Sequence, residues 1–346
     1  MVLSSKGSMY NTLPDYYSQY LRMRITVNKL KNIFLGNPLA IGYLELTIAQ
    51  CFVGLNVICG KLLITYFPIF LLLASRFAIG FAGMVGMAAM KNLSLRKVYQ
   101  HFMALSLKDK VLLIFQAACG GFLFNVFILY GMKSTSATAA GIITSITPIM
   151  IFILSALFLR EKINFQKGLA ICIVMLGLMV LNLGKDTRLD SGALLGNFLV
   201  FLAVIPEALF TILSKSVGKK ISETEAVILV NFFNFLMFLP FAIWDLGSIS
   251  WHEIQGTQYG QVLIYGISGG ILFFLLWYRG LTKISANIAA LFTGVMPIST
   301  SILAFVFLKE PMQFSDLLGM TLVILAIFIG CNAKVLRLFM RIFLKP

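Results

Sequence analysis

The sequence predicts an all-α polytopic membrane protein of ten transmembrane helices, arranged as two inverted five-helix repeats with both termini in the cytoplasm. Three observations predict it: an apolar composition, ten apolar runs of spanning length, and an internal duplication at an offset of 149 residues. Of 346 residues, 59% are hydrophobic and 12% charged, and the mean hydropathy is +0.93, which a water-facing surface does not tolerate. A helix crossing the hydrocarbon needs about 20 mostly apolar residues, because its peptide groups must be satisfied within the helix.

Residues 1–40 form a polar, aromatic and then basic tail (Tyr10, Tyr16, Arg22, Arg24, Lys29, Lys31) without a cleavable leader pattern, read as a cytoplasmic N-terminal tail. The first repeat then occupies 41–184, with segments at 41–60, 67–90, 111–132, 136–159 and 166–184. The second repeat occupies 192–333, with segments at 192–214, 224–244, 260–278, 285–308 and 315–333, and a basic cytoplasmic tail closes the chain over 334–346.

A net charge of +15 suggests nucleic acid until the basic residues are placed. With the amino terminus inside, 22 of the 28 fall in the tails and the inner loops. Five fall outside (Lys61, Lys133, Lys185, Arg188, Lys309), and Arg76 lies within a segment. This is the positive-inside pattern; it fixes both termini in the cytoplasm and points to the bilayer, not to nucleic acid. The five cysteines lie in apolar segments without CxxC spacing, and His101 and His252 fall in loops on opposite faces. No metal or cofactor site is expected.

Residues 120–165 align without a gap on 269–314, with identities along the whole stretch, among them Gly120, Gly131, Ala137, Thr144, Pro148, Glu161 and Phe165. The third and fourth segments are thus repeated as the eighth and ninth, so each unit holds five segments. An odd number inverts the second copy relative to the first, the arrangement by which transporters exchange inward-open and outward-open states.

Several residues do not suit lipid. Pro148, Pro206 and Pro297 mark kinks that free the carbonyls of Thr144, Leu202 and Thr293, so a Thr-x-x-x-Pro pair recurs at symmetric places in the fourth and ninth segments. Taken singly, each proline reads first as an ordinary kink satisfied by a neighbouring helix. Arg76 sits roughly midway across the core, where a charge costs about 2.5–3.5 kcal/mol and must face protein, water or a counter-ion. It either attracts an anionic substrate group or bridges to helix carbonyls or an acid. Glu207 is the carboxylate deepest within a segment and the candidate for proton coupling, or else the permanent partner of Arg76 or a lysine. Glu45 is placed near the cytoplasmic end of the first segment. Asn56, Asn125, Tyr130, Thr211 and Trp277 join Arg76, Thr144 and Thr293 as candidate substrate-binding residues.

The stretches LYGMKSTSATAAGIITSITPIMIFILSALFLREK and WYRGLTKISANIAALFTGVMPISTSILAFVFLKEP resemble the repeated EamA domain of the drug/metabolite transporter superfamily. Gly54, Asn56 and Lys61 in VGLNVICGK, and Arg76 in SRF, also match that family. The resemblance covers nearly everything after residue 40. It implies ten helices, cytoplasmic termini, a central cavity and traffic in small metabolites, often amino acids. Glu207 stands where the family usually has an aromatic. With Thr211 and Lys215 it is similar to the first helix of small multidrug resistance exporters, whose glutamate binds both proton and drug; the equivalent position in the first half is Val53.

The expected function is secondary active transport of a small polar metabolite by alternating access, with proton coupling through Glu207, in a bacterial inner membrane, by a monomer or weak homodimer. Uptake or exchange of a host metabolite such as S-adenosylmethionine is the narrower alternative. A membrane-embedded enzyme would need clustered nucleophiles or metal ligands, which the sequence lacks, so no catalytic residue is assigned. A helper without transport would need no cavity between the repeats.

Overall fold

The computed structural model describes residues 37–135, 137–182, 193–218, 220–249, 252 and 254–331. Most of the two tails, and Lys185, Arg188 and Lys219, lie outside the described residues. Nine helices among the described residues are long and apolar enough to cross a membrane. They are α1 (Pro38–Leu63), α2 (Ile69–Met90), α3 (Leu107–Met132), α4 (Ala139–Leu159), α5 (Phe165–Asn182), α6 (Leu194–Val217), α7 (Glu223–Asp245), α8 (Gly256–Lys283) and α9 (Ala286–Leu308). A tenth apolar helix, α10 (Phe314–Gly330), has 17 residues, at the short end of what spans hydrocarbon.

Most of these helices start and stop for local reasons. Pro68 restricts the chain before α2, and Ser106 starts α3 by accepting from the Asp109 N–H at 3.2 Å. Ser222 and Glu225 form a reciprocal capping box at α7. Apolar runs alone place α3 and α8 several residues too short at their polar ends, because a capped helix continues past the hydrocarbon. They also miss a short amphipathic helix, Leu95–Ala104, between α2 and α3, capped by Ser94.

The duplication extends to backbone detail. α3 widens into a π-helical turn at Ala118–Leu123, and α8 does so at Ile267–Leu272, 149 residues on. α4 ends on Arg160 with φ 53°, and α9 on its counterpart Lys309 with φ 57°. In each case the following glutamate N–H reaches back, Glu161 to the Ser155 carbonyl at 3.2 Å and Glu310 to the Ala304 carbonyl at 3.4 Å. Both helices are also interrupted just before their prolines, at Ser145–Ile146 and at Thr293–Gly294.

Corresponding helices pack against one another, α2 on α7 and α5 on α10. The second contact is close because Gly177 and Gly319 face each other: a Cβ on Gly319 would lie 2.6 Å from the Gly177 carbonyl oxygen. Large apolar side chains such as Leu157, Leu194 and Trp244 point outward at 68%, 81% and 88% exposure, which suits lipid and not water.

A π turn leaves one carbonyl without its usual helical donor, and α7 supplies the replacements. The Asn231 amide donates to Gly270 O at 2.8 Å, and the Asn234 amide to Ala117 O at 2.9 Å. Two side chains one helical turn apart thus hold the distorted stretches of both halves.

Candidate functional site

α6 runs unbroken through Pro206 and places Glu207, Phe210 and Thr211 on one face, at i, i+3 and i+4. That face borders a cavity of about 340 Å³, whose other walls include Asn56 of α1, Arg76 of α2, Asn125 of α3 and Trp277 of α8. A second cavity of about 270 Å³ adjoins it along α4, reaching Thr144, Pro148 and Pro297, and then Met132 and Asn182. Phe124, Ile128, Glu207, Thr293 and Met296 border both.

Most of the residues singled out in the sequence therefore meet at one place. Tyr130 does not: it lines neither cavity, is 47% exposed, and stacks under the Lys133 ammonium at 4.7 Å. As an aromatic at the end of α3, it faces outward instead. Pro206 borders neither cavity.

Arg76 and Glu207 face the larger cavity without an ion pair between them. The Arg76 Nη2 donates to the Gly269 carbonyl in the π turn of α8 at 3.2 Å, and the guanidinium lies over the rings of Phe77 at 5.2 Å and Tyr265 at 5.8 Å. Arg76 thus bridges to a helix carbonyl and also lines the larger cavity, while its Nε is buried without a hydrogen-bond partner among the described residues. Glu207 Oε2 accepts from the Thr147 hydroxyl at 2.8 Å. Thr147 is the first residue of the resumed helix in α4, next to Pro148, and its counterpart in the second half is Met296.

The kink residues behave differently from the simplest expectation. The Thr293 carbonyl accepts from the Met296 N–H at 3.3 Å, so the tightened turn closes the gap that Pro297 opens. The Thr144 hydroxyl donates to Ala140 O at 3.0 Å and the Thr293 hydroxyl to Ala290 O at 2.7 Å. Both donors are spent within their own helices, leaving the hydroxyl oxygens as acceptors. Asn56 likewise spends its amide on Tyr265 O at 2.6 Å, and Asn125 on Gly121 O at 2.6 Å. Thr211 is buried on the cavity wall, and Lys215 donates to the carbonyls of Leu281 and Ile284.

Glu45 is not free at an interface. It is 6% exposed and pairs with Lys283 Nζ at 2.6 Å and Arg279 Nε at 3.0 Å, tying α1 to α8. Among the cavity residues that the sequence did not single out are the polar side chains Gln50, Thr147 and Asn182. Thr147 carried a signal, its place beside Pro148; Gln50 and Asn182 lay at helix positions with no distinguishing neighbour.

The profile of the EamA-like transporter family matches residues 40–183 and again 194–330. The chain belongs to the EamA-like transporter family. Among its relatives is the uncharacterized transporter YetK of Bacillus subtilis (strain 168), 38% identical over 294 residues that cover 84% of this chain and 87% of that one. An uncharacterized transporter of Archaeoglobus fulgidus is 29% identical over 209 residues, 60% of this chain and 72% of its own length. A crystal structure at 15% identity superposes with a TM-score of 0.69 over 87% of this chain and 98% of its own, a likeness of fold. This EamA-like protein is thus a multi-pass membrane protein whose named relatives are transporters.

Proposed function

We propose that this EamA-like protein is a secondary transporter of a small zwitterionic metabolite, an amino acid or a related compound, working by alternating access between inverted halves. Both termini lie in the cytoplasm of a bacterial cell, as the basic inner loops suggest. The observation that carries the reading is the pair Arg76 and Glu207, of opposite charge and from different halves, bordering one cavity without neutralising each other. A zwitterion supplies both missing counter-charges at once, and the aromatic walls at Phe210, Phe273 and Trp277 accept its apolar part. Glu207 couples transport to protons by exchanging a proton for the substrate's cationic group.

The test is flux into proteoliposomes with a panel of amino acids and S-adenosylmethionine, with and without an imposed pH gradient. Saturable flux of a zwitterion that Arg76→Gln abolishes is the expected result. Gradient-driven flux that persists in Glu207→Gln overturns the coupling role. Flux only of uncharged or anionic compounds overturns the zwitterion reading. Saturable flux of S-adenosylmethionine would single out a zwitterion with an added sulfonium and an adenine ring for the aromatic wall.

A further inference from the structure

The two ends of the cavity region differ, although duplicated residues build them. At one end, Glu161 beyond α4 accepts from the backbone N–H groups of Ala286 at 2.8 Å and Asn287 at 2.9 Å, at the start of α9. Lys215 at the end of α6 donates to the carbonyls of Leu281 and Ile284, so the α8–α9 connection is held from both sides. At the other end stand the counterparts of these two side chains. Glu310 corresponds to Glu161, and Lys61 lies eight residues beyond Val53, as Lys215 lies eight beyond Glu207. There, among the described residues, they pair with each other and not with the α3–α4 connection.

Burial separates the two ends in the same sense. Leu281, held by Lys215, is 1% exposed, whereas its counterpart Met132 is 49% exposed and borders the cavity. The cavity region thus reaches an exposed residue at the α3–α4 end, whereas the corresponding residue at the α8–α9 end is buried.

We propose that these four side chains are two exchangeable latches: when the cavity changes sides, Glu310 and Lys61 take up the α3–α4 connection, and Glu161 and Lys215 let go of α8–α9 to pair with each other. The inference rests on the alternating-access part of the proposed function, and on nothing about the substrate. It follows from the duplication, because each half can adopt the conformation that the other holds now. Glu310 would then accept from the N–H groups of Ala137 and Thr138, and Lys61 would donate to the carbonyls of Met132 and Thr135, the counterparts of the groups held at the α8–α9 end. Charge-assisted bonds to backbone groups at a buried connection hold more strongly than the present Lys61–Glu310 pair, which is 57% and 48% exposed. Removing either latch therefore biases the equilibrium away from the state in which it grips.

The test labels the purified full chain, with its native cysteines replaced, at Met132→Cys or Leu281→Cys using a water-soluble maleimide. In Glu161→Gln, labelling at 281 rises several-fold and labelling at 132 falls. In Glu310→Gln the two rates move the opposite way. Lys215→Met repeats the first pattern and Lys61→Met the second, so the outcome does not hang on one variant that folds poorly. Rates that stay unchanged, or that move in the same direction for Glu161→Gln and Glu310→Gln, overturn the exchange. No substrate is present in these measurements, so a failed flux assay and a failed latch are told apart.

Discussion

The Thr147 hydroxyl lies 2.8 Å from Glu207 Oε2, joining the interruption of α4 to the one acid among the residues that border the cavities. A hydroxyl donating to a carboxylate contributes about 1.5–3 kcal/mol, more than a bond between neutral groups. Thr147→Val keeps the shape and removes the donor. It is expected to lower substrate flux at least about tenfold, while Thr147→Ser restores most of it. Initial rates in proteoliposomes at equal protein density check this. Equal rates for the valine and serine variants would remove Thr147 from the mechanism.

Glu45 offers a stability prediction. Its side chain is 7% exposed between Arg279 and Lys283, so truncation leaves two cations facing a buried gap. Breaking a buried pair by removing one partner costs about 3–5 kcal/mol; because Arg279 is half exposed, the lower end applies here. Glu45→Ala is expected to lower the thermal unfolding midpoint in detergent by several degrees, and Glu45→Asp by less. A midpoint matching the parent protein would place the three charges in water.

How much of this was legible in the sequence follows from which forces act locally. The spans were readable because hydrocarbon demands long apolar runs, and the duplication because Pro148 and Pro297, or Glu161 and Glu310, repeat at one offset. Arg76 and Glu207 stood out because charge is rare in such runs. The burial of Glu45 was not readable, since its partners lie on α8, more than 230 residues away. Nor was the fate of Tyr130, because which face of a helix meets the cavity depends on its neighbours. The π turns fall on Gly-Gly pairs that the sequence displayed, but their carbonyls find donors only once α7 is in place.

That dependence on α7 can be tested directly. The Asn234 amide donates to Ala117 O and also to Val230 O in its own helix, at 3.0 Å. Asn234→Leu leaves the Ala117 carbonyl buried without this donor. It also presses a branched side chain toward Gly121, which lies so near that a Cβ added there would be 2.0 Å from Asn234 Oδ1. An unsatisfied buried acceptor costs about 1–3 kcal/mol. Asn234→Leu is expected to lower the thermal midpoint and to speed hydrogen exchange over 117–123. Protection unchanged across that stretch would show that the π turn holds its shape without α7.

Two glycines separate close approach from mere helix preference. Gly319 meets α5 so closely that an added Cβ would lie 2.6 Å from Gly177 O and 2.8 Å from Leu181 N, both backbone atoms that cannot swing aside. Gly86 in α2 has nothing within 4 Å of the same position. Overpacking costs about 1–3 kcal/mol, whereas Ala in an open helix position is favoured over Gly by about 0.5–1 kcal/mol. Gly319→Ala should therefore lower the thermal midpoint, and Gly86→Ala should raise it or leave it unchanged. Because α5 and α10 are corresponding helices of the two halves, a Gly319→Ala protein that unfolds early would mark their contact as a main seam between the repeats. Two variants with equal midpoints would mean that α5 and α10 separate easily, and the close approach of Gly177 and Gly319 would then contribute little to joining the halves.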